Sequence, residues 1–124
     1  MRLHYPVVIA VVAAAAYVSG ADTQTHTDVK MNFKKAVMDS VGKRWYASME
    51  AHHKELTPGT VRIHVAIAPL RTIVELRIIS NTSNKLAAKL SIDAVRRAQI
   101  PPVPPALLVR GAYRDDWDFK IYAQ

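Results

Sequence analysis

Three histidines offer the clearest candidate metal ligands in this chain of 124 residues. Imidazole is a common zinc ligand, which makes His52, His53 and His64 the candidates. The side chains of the adjacent His52 and His53 point in different directions, and His64 lies in a separate predicted strand. The spacing therefore predicts solvated or hydrogen-bonded imidazoles, and the sequence indicates no metal site.

Carboxylates near the C-terminus form a second candidate group, either as paired acid and base or as a calcium loop. The residues are Asp115, Asp116 and Asp118. A calcium loop needs regularly spaced oxygen ligands around a turning glycine, and that pattern is absent. We therefore interpret these aspartates as charged residues at the entry to a strand.

Hydroxyl nucleophiles are available at Ser80, Thr82 and Ser83, within a polar loop. No Gly-x-Ser-x-Gly or comparable context surrounds them, so loop and helix-capping roles are the better interpretation. The chain has no cysteine and no glycine-rich phosphate-binding motif. The sequence therefore predicts a protein that is not an enzyme and has no cofactor.

Apolar and polar residues alternate in the C-terminal segment 117–122, which predicts a strand. Its function could be to bind a partner through an unpaired edge. Three core-facing residues alternate with three outward ones: Trp117, Phe119 and Ile121 with Asp118, Lys120 and Tyr122. At a sheet edge, the backbone groups of such a strand can accept a partner strand, and we take these six residues as the candidate partner-binding site. The alternative is that the strand only completes the core. The charge of Lys120 would then disfavour pairing of the edge with another chain and so prevent aggregation.

Two helices are expected to support this strand. A four-residue spacing of apolar residues predicts a long first helix through Val29, Phe33, Val37, Val41 and Trp45, with Met38 and Met49 beside them. Thr27 or Asp28 is its expected cap, and Gly42 favours a kink or break. A second amphipathic helix, capped from the polar loop at 80–84, is indicated by Ala87, Leu90, Ala94, Val95 and Ala98.

Prolines follow the second helix in the segment Ile100-Pro101-Pro102-Val103-Pro104-Pro105. Pro101 ends the helix, and the prolines after it favour polyproline II geometry. Such a segment can be a ligand for an aromatic groove when it is exposed and flexible. Its place between two elements of one domain favours a stiff connector instead.

Two strands complete the pattern, because apolar residues alternate with polar ones at 61–67 and 74–78. They predict a hairpin with a longer loop around Pro69, and a split β-α-β unit if the first strand is central. The predicted fold is α+β, a two-layer α-β-β-α-β sandwich with a three-stranded antiparallel sheet and both helices on one face. The open face would carry Arg62, His64, Glu75, Arg77, Asp118 and Lys120.

The N-terminus has the layout of a secretory signal peptide. Arg2 precedes the apolar run Tyr5–Val18, and the small residues Ser19 and Ala21 follow. As a helix this run would rise only ~21 Å, short of the ~30 Å hydrocarbon core, so an uncleaved anchor at residues 5–18 is the weaker alternative. We divide the chain into a signal peptide at 1–21, a short polar lead at 22–27 and a domain at 28–124, and expect a periplasmic or secreted location.

The formal net charge is +7, with basic residues dispersed along the chain. Export argues against nucleic acid as a partner. An anionic membrane surface remains an alternative partner for a basic exported protein.

Several of these features occur in the same order in a known family. Trp45 near the end of the first helix, the segment Ala87–Arg97 before the prolines, and the final Trp117-Asp118-Phe119 resemble the C-terminal domain shared by the TonB and TolA periplasmic proteins. The resemblance covers roughly Val37–Ala123. It implies a two-layer α/β domain that binds other envelope proteins, commonly by adding a partner segment to an open sheet edge. The chain departs from that family in its hairpin loop, which lacks the usual glycine.

The predicted function is therefore an exported interaction domain that binds a segment of an envelope or outer-membrane protein by strand addition at its last strand. It would lack the anchor and linker of an energy transducer, because only Asp22–Thr27 separate leader and domain and six extended residues span just ~20 Å. An open edge also permits a homodimer by strand exchange. The alternative function is a basic peripheral protein on an anionic membrane surface.

Overall fold

The element order is β-α-β-β-α-β in a computed structural model. The structure describes residues 8–12 and 21–123, with side chains from residue 26 onward. The four strands are β1 (Val8–Val12), β2 (Gly59–Ile67), β3 (Ile73–Asn81) and β4 (Tyr113–Ile121). The two helices are α1 (Ala21–Ala51) and α2 (Lys85–Arg97). Short 3-10 turns occur at His53–Glu55 and Pro105–Leu107.

The strand order in the sheet is β1-β4-β2-β3, and every neighbouring pair is antiparallel. The first strand of the hairpin, β2, lies between β3 and β4, as the split β-α-β arrangement predicts. Both helices pack on one face of the sheet, and the predicted α+β fold is confirmed. β1 is a fourth strand that the sequence analysis did not predict.

The core forms between the helix layer and one face of the sheet. The predicted α1 stripe is buried at Phe33, Val37, Val41, Trp45 and Met49. On the sheet side it meets alternate residues of β2 and β4, because successive side chains in a strand point to opposite faces. These residues are Val61, Ile63, Val65, Ile67, Trp117, Phe119 and Ile121.

The start of α1 differs from the prediction. The helix begins at Ala21 and not after a cap at Thr27 or Asp28, so the supposed polar lead at 22–27 forms its first turns. The apolar stripe marks only where the helix touches the sheet, whereas residues 26–28 are exposed and helical beyond that contact. Gly42 does not break the helix, which is continuous to Ala51.

The hairpin loop is longer than a two-residue turn, as the lack of glycine predicts. It runs from Ala68 to Thr72, closed by a hydrogen bond from the Ala68 amide to the Thr72 carbonyl at 2.8 Å. Arg71 adopts a positive φ of 69° in this loop. The β2–β3 register shifts twice, between Arg62 and Ile63 and between Ala66 and Ile67, and these β-bulges bend β3.

The start of α2 confirms the predicted capping from the polar loop. The Asn84 side chain accepts a hydrogen bond from the Ala87 amide at 2.9 Å, which satisfies one of the free donors in the first turn. The helix ends at Arg97, before Pro101. Ile100 and Val103 of the proline segment are buried, so this segment packs into the core as a connector.

The apolar N-terminal run gives a different element from the one expected. Tyr5–Val18 is predicted from the sequence to be the apolar run of a signal peptide, and Val8–Val12 within it form a strand paired with β4. Residues 1–7 and 13–20, which hold most of the predicted signal peptide, lie outside the described residues. In the described part of the chain, no helix is both long and apolar enough to cross a membrane.

Candidate protein-interaction edge

The core-facing side of β4 is fully packed. Trp117 and Phe119 are completely buried, and Ile121 is nearly so, as the alternation predicts. The rings of Phe119 and Trp45 lie 5.5 Å apart between centroids. The candidate edge strand is therefore held rigidly by the helix layer.

The other side of β4 belongs to the open face of the sheet. Asp118 lies there as predicted, facing the Arg62 guanidinium across the sheet at 3.6 Å, but the residue is only 8% exposed. Lys120 is half-buried on the same face. Tyr122 follows the end of the strand and is exposed. The six predicted residues thus form one continuous segment with a packed side and a polar side.

The outer edge of β4 is occupied by the chain itself. β1 pairs with it in antiparallel register from Val8 opposite Lys120 to Val12 opposite Asp116. The sequence predicts an open edge here, and the structure places a fourth strand against it. The signal for this strand is the β-branched composition of Val8–Val12, which also suits the apolar part of a leader.

The opposite edge of the sheet is formed by β3. Among residues 8–12 and 21–123, no strand pairs with its outer side. Val74, Ile78 and Ile79 are exposed on this strand, and the two bulges fall at Val74 and Ile79. Bulges interrupt the straight row of backbone groups that strand addition needs, so this edge is the poorer template.

A charge network covers the open face. His64 lies between two carboxylates, with Nδ1 2.7 Å from Asp116 Oδ1 and Nε2 3.2 Å from Glu75 Oε2. Arg62 bridges two residues of β4, at 3.6 Å from Asp116 Oδ2 and 3.6 Å from Asp118 Oδ2. The network joins β2, β3 and β4 through alternating charges, which suits a structural role on the solvent side.

Two members of this network were not singled out for the open face in the sequence analysis. Arg114 donates to Glu75 Oε2 at 3.1 Å, and Asp116 accepts a hydrogen bond from His64 and forms an ion pair with Arg62. Their positions follow from the register between β2 and β4, which pairs His64 with Asp116. Arg77 is directly opposite His64 on β3, on the predicted face.

A buried polar cluster connects α1 to β4. Lys34 Nζ lies 3.2 Å from Asp115 Oδ2, which also accepts from the Tyr113 hydroxyl at 2.7 Å and the Trp117 indole at 3.3 Å. Burial, together with the hydrogen bond to Asp115 and its negative charge, raises the pKa of Tyr113 well above its usual value. Asp115 lies near the start of β4, as the strand-entry interpretation predicts, and it is a buried structural acceptor.

The candidate metal ligands are separated in the structure. His52 Nδ1 contacts Glu55 Oε2 at 2.8 Å, and His53 Nδ1 contacts the Glu50 carbonyl at 3.2 Å. His64 is on the open face of the sheet. The described residues contain no group of three side chains placed to hold a metal ion.

The hydroxyl candidates form loop contacts. Thr82 Oγ1 accepts from the Thr60 amide at 2.8 Å, and the Ser83 hydroxyl donates to the Thr57 carbonyl. The Ser83 amide in turn donates to the Asn81 side chain at 2.8 Å. These bonds hold the loop before α2 and confirm the loop interpretation of Thr82 and Ser83.

A groove of about 340 Å³ lies between α1 and α2. Lys43, Arg44 and Arg97 line it, with Asp93 as its one carboxylate. Within the described residues none of the three cations forms an ion pair. The groove therefore carries a local excess of positive charge.

No protein-family model matches this chain, and no curated protein matches it either. The resemblance to the TonB and TolA C-terminal domain thus stays a prediction from the residues quoted for it.

Proposed function

We propose that this chain is an exported, non-enzymatic interaction module that binds an extended segment of an envelope protein as an added strand on β4. The observation that carries the proposal is the pairing of Val8–Val12 with β4. A five-residue segment lies along the outer edge in regular antiparallel register, from Asp116 to Lys120. The edge is therefore compatible with strand addition, in which backbone hydrogen bonds supply affinity.

The packing of β4 supports this use. Trp117 and Phe119 are buried in the core, and Asp115 forms an ion pair with Lys34 of α1. Such a strand does not have to become ordered when a partner binds, so little conformational entropy is lost on the domain's side.

The predicted leader supplies a way to open the edge. β1 lies wholly within residues 1–21, so cleavage after Ala21 would remove it from β4. Every described member of the buried core cluster lies between Phe33 and Ile121, outside the leader. On this proposal, export and cleavage produce a chain at 22–124 whose β4 edge is free for a partner.

A reversible covalent lock tests the proposal. The chain has no cysteine, so V8C/K120C introduces one defined disulfide between two residues that are partners in the register. Directly opposite Cα atoms in antiparallel strands are ~4.5–5.5 Å apart, within disulfide reach. The oxidised protein keeps β1 on β4, and its reduced form is the matched control.

Binding is measured with a soluble peptide carrying the Val8–Val12 sequence and with bacterial envelope extract. We expect the strongest binding by residues 22–124, weaker binding by the reduced full chain because β1 competes at high effective concentration, and none by the oxidised chain. Amide exchange should show protection of β4 in the complex. Equal binding by the oxidised and reduced chains would refute strand addition at β4.

A second candidate function is binding to an anionic membrane surface, favoured by the basic groove between α1 and α2. Flotation with anionic vesicles at low salt measures it, because such attraction is screened as salt rises. The variant K43Q/R44Q/R97Q should lose flotation if the groove is responsible.

The matched control for charge is R71Q/R77Q/R110Q, which removes three cations away from the groove. Equal loss of flotation in both variants would indicate nonspecific attraction by net charge. If neither the parent protein nor the control variant floats with the vesicles, the membrane function is refuted.

A further inference from the structure

One buried acceptor oxygen on the β4 edge has no hydrogen-bond partner among the described residues. Asp118 is 8% exposed, and its Oδ1 is buried and accepts no hydrogen bond from any described residue. Its other oxygen faces Arg62 at 3.6 Å, an ion-pair distance and not a hydrogen bond. A buried acceptor left unsatisfied is costly, since it loses its bond to water without gaining another.

The register identifies which position of an added strand is nearest to this acceptor. Asp118 is paired with Ala10, and directly opposite residues in antiparallel strands carry their side chains on the same face, with Cβ atoms ~4.5–5.5 Å apart. Alanine has no side-chain donor. The chain's own segment therefore covers the edge without satisfying Asp118.

We propose that the partner strand carries threonine or serine in register with Asp118, between two apolar residues in register with Trp117 and Phe119. This inference rests on the proposed strand addition and names the chemistry of the segment that β4 selects. A short hydroxyl on the β-carbon donates to Asp118 Oδ1 across the ladder. The flanking positions lie on the helix side, next to the buried rings, where β-branched side chains fit best.

The local charges favour a neutral donor over a cation. Arg62 already faces Asp118, and Lys120 is two residues further along the same strand and face. These two cations already balance the two carboxylates of this face, Asp116 and Asp118, so a lysine in the partner would add an unmatched positive charge. A hydroxyl satisfies the acceptor without this repulsion, and its small volume suits a site where Asp118 is almost completely buried.

The experiment uses the full chain, in which position 10 stands in for the partner residue. A10T introduces the hydroxyl, and A10V is its control with the same shape and strand preference but no donor. Amide hydrogen exchange is followed for the residues of β4 that bond to β1. We expect exchange roughly tenfold slower in A10T than in A10V, the effect of one hydrogen bond to a charged acceptor.

The same pair is then compared in the D118A background, where the difference between A10T and A10V should vanish. D118N serves where D118A does not fold, and it should reduce the difference because the acceptor loses its charge. Equal exchange in A10T and A10V, with β4 still protected, overturns the hydroxyl inference and leaves strand addition intact. Unprotected β4 amides in every variant would instead contradict the pairing on which strand addition itself rests.

Discussion

Lys34 of α1 and Asp115 of β4 form a buried ion pair, with 3.2 Å between Nζ and Oδ2 and side chains only 12% and 6% exposed. The pair fixes the helix layer against the candidate binding strand. Asp115 also accepts from Tyr113, so its carboxylate has more than one donor. The position of the β4 backbone therefore depends on polar contacts as well as on the apolar core.

Replacing Lys34 should destabilise the fold strongly. K34M keeps much of the side-chain volume but leaves Asp115 with a buried charge and no cationic partner. We expect a loss of about 3 kcal/mol in the free energy of unfolding, measured by urea denaturation.

The neighbouring residue supplies the control. Lys35 forms an i,i+4 ion pair with Asp39 at 3.5 Å, with side chains 76% and 64% exposed. Solvent screens such a pair, so K35M should cost less than about 0.5 kcal/mol. Equal effects of K34M and K35M would show that the Lys34 pair is not a significant part of the core.

Tyr113 should make the fold sensitive to alkaline pH. Its raised pKa means that the folded state holds the phenolic proton more tightly than the unfolded state does. Its contribution to stability is therefore complete below about pH 10, the ordinary tyrosine value, and is lost as the pH rises toward the higher folded value.

We expect the ultraviolet absorbance of phenolate to show one tyrosine that ionises only as the chain unfolds. Y113F should abolish that step while keeping the ring contact with Phe33, whose centroid is 4.9 Å away. If Tyr113 ionises near pH ~10 while the protein is still folded, its pKa is not raised.

The sequence predicts much of this fold because burying one face of a helix or strand imposes a regular spacing on its apolar residues. The stripe from Phe33 to Met49 and the alternation in β2 and β4 follow from which side chains must leave water. The capping loop before α2 was also predictable, since polar residues there precede an amphipathic pattern.

Other features depend on contacts between distant segments. The pairing of His64 with Asp116 follows from strand register, and that of Lys34 with Asp115 from how α1 crosses β4. Neither of these two contacts leaves a recognisable pattern in the local sequence. The strand at Val8–Val12 was not predicted, because a continuous apolar run has no period that separates a helix from a strand.

Gly59 should not tolerate a side chain. A Cβ there would lie 2.5 Å from the Thr82 carbonyl oxygen and 2.6 Å from the Ser83 amide nitrogen. The Thr82 amide donates to the Thr60 carbonyl at 2.9 Å, so this backbone cannot easily move away. We expect G59A to cost about 3 kcal/mol in unfolding free energy.

Gly59 also has a positive φ, of 158°, and Gly111 is the control that has a positive φ without the close contacts. Gly111 has a φ of 79°, but no neighbouring atom lies within 4 Å of the position that an alanine methyl group would take. G111A should therefore cost only about 1 kcal/mol, from the left-handed conformation alone. If G111A is as damaging as G59A, close packing at Gly59 is not the cause.

The charges on β4 argue against a homodimer through this strand. In the symmetric antiparallel register that pairs all nine residues of β4, centred on Trp117, Arg114 falls opposite Lys120 and Asp116 opposite Asp118. Like charges directly opposite each other in a sheet are destabilising, by roughly 0.2–1 kcal/mol for each pair. The chain at 22–124 should therefore stay monomeric in sedimentation, although its β4 edge is free.

Reversing two charges should change this outcome. D116K/K120E places Lys opposite Asp118 and Glu opposite Arg114, so every pair on that face becomes complementary. We expect this variant of residues 22–124 to dimerise, and the same substitutions in the full chain to leave a monomer because β1 covers the edge. Dimerisation of the unsubstituted 22–124 chain through β4, or of the full-length variant, would show that these charges and β1 do not protect the edge.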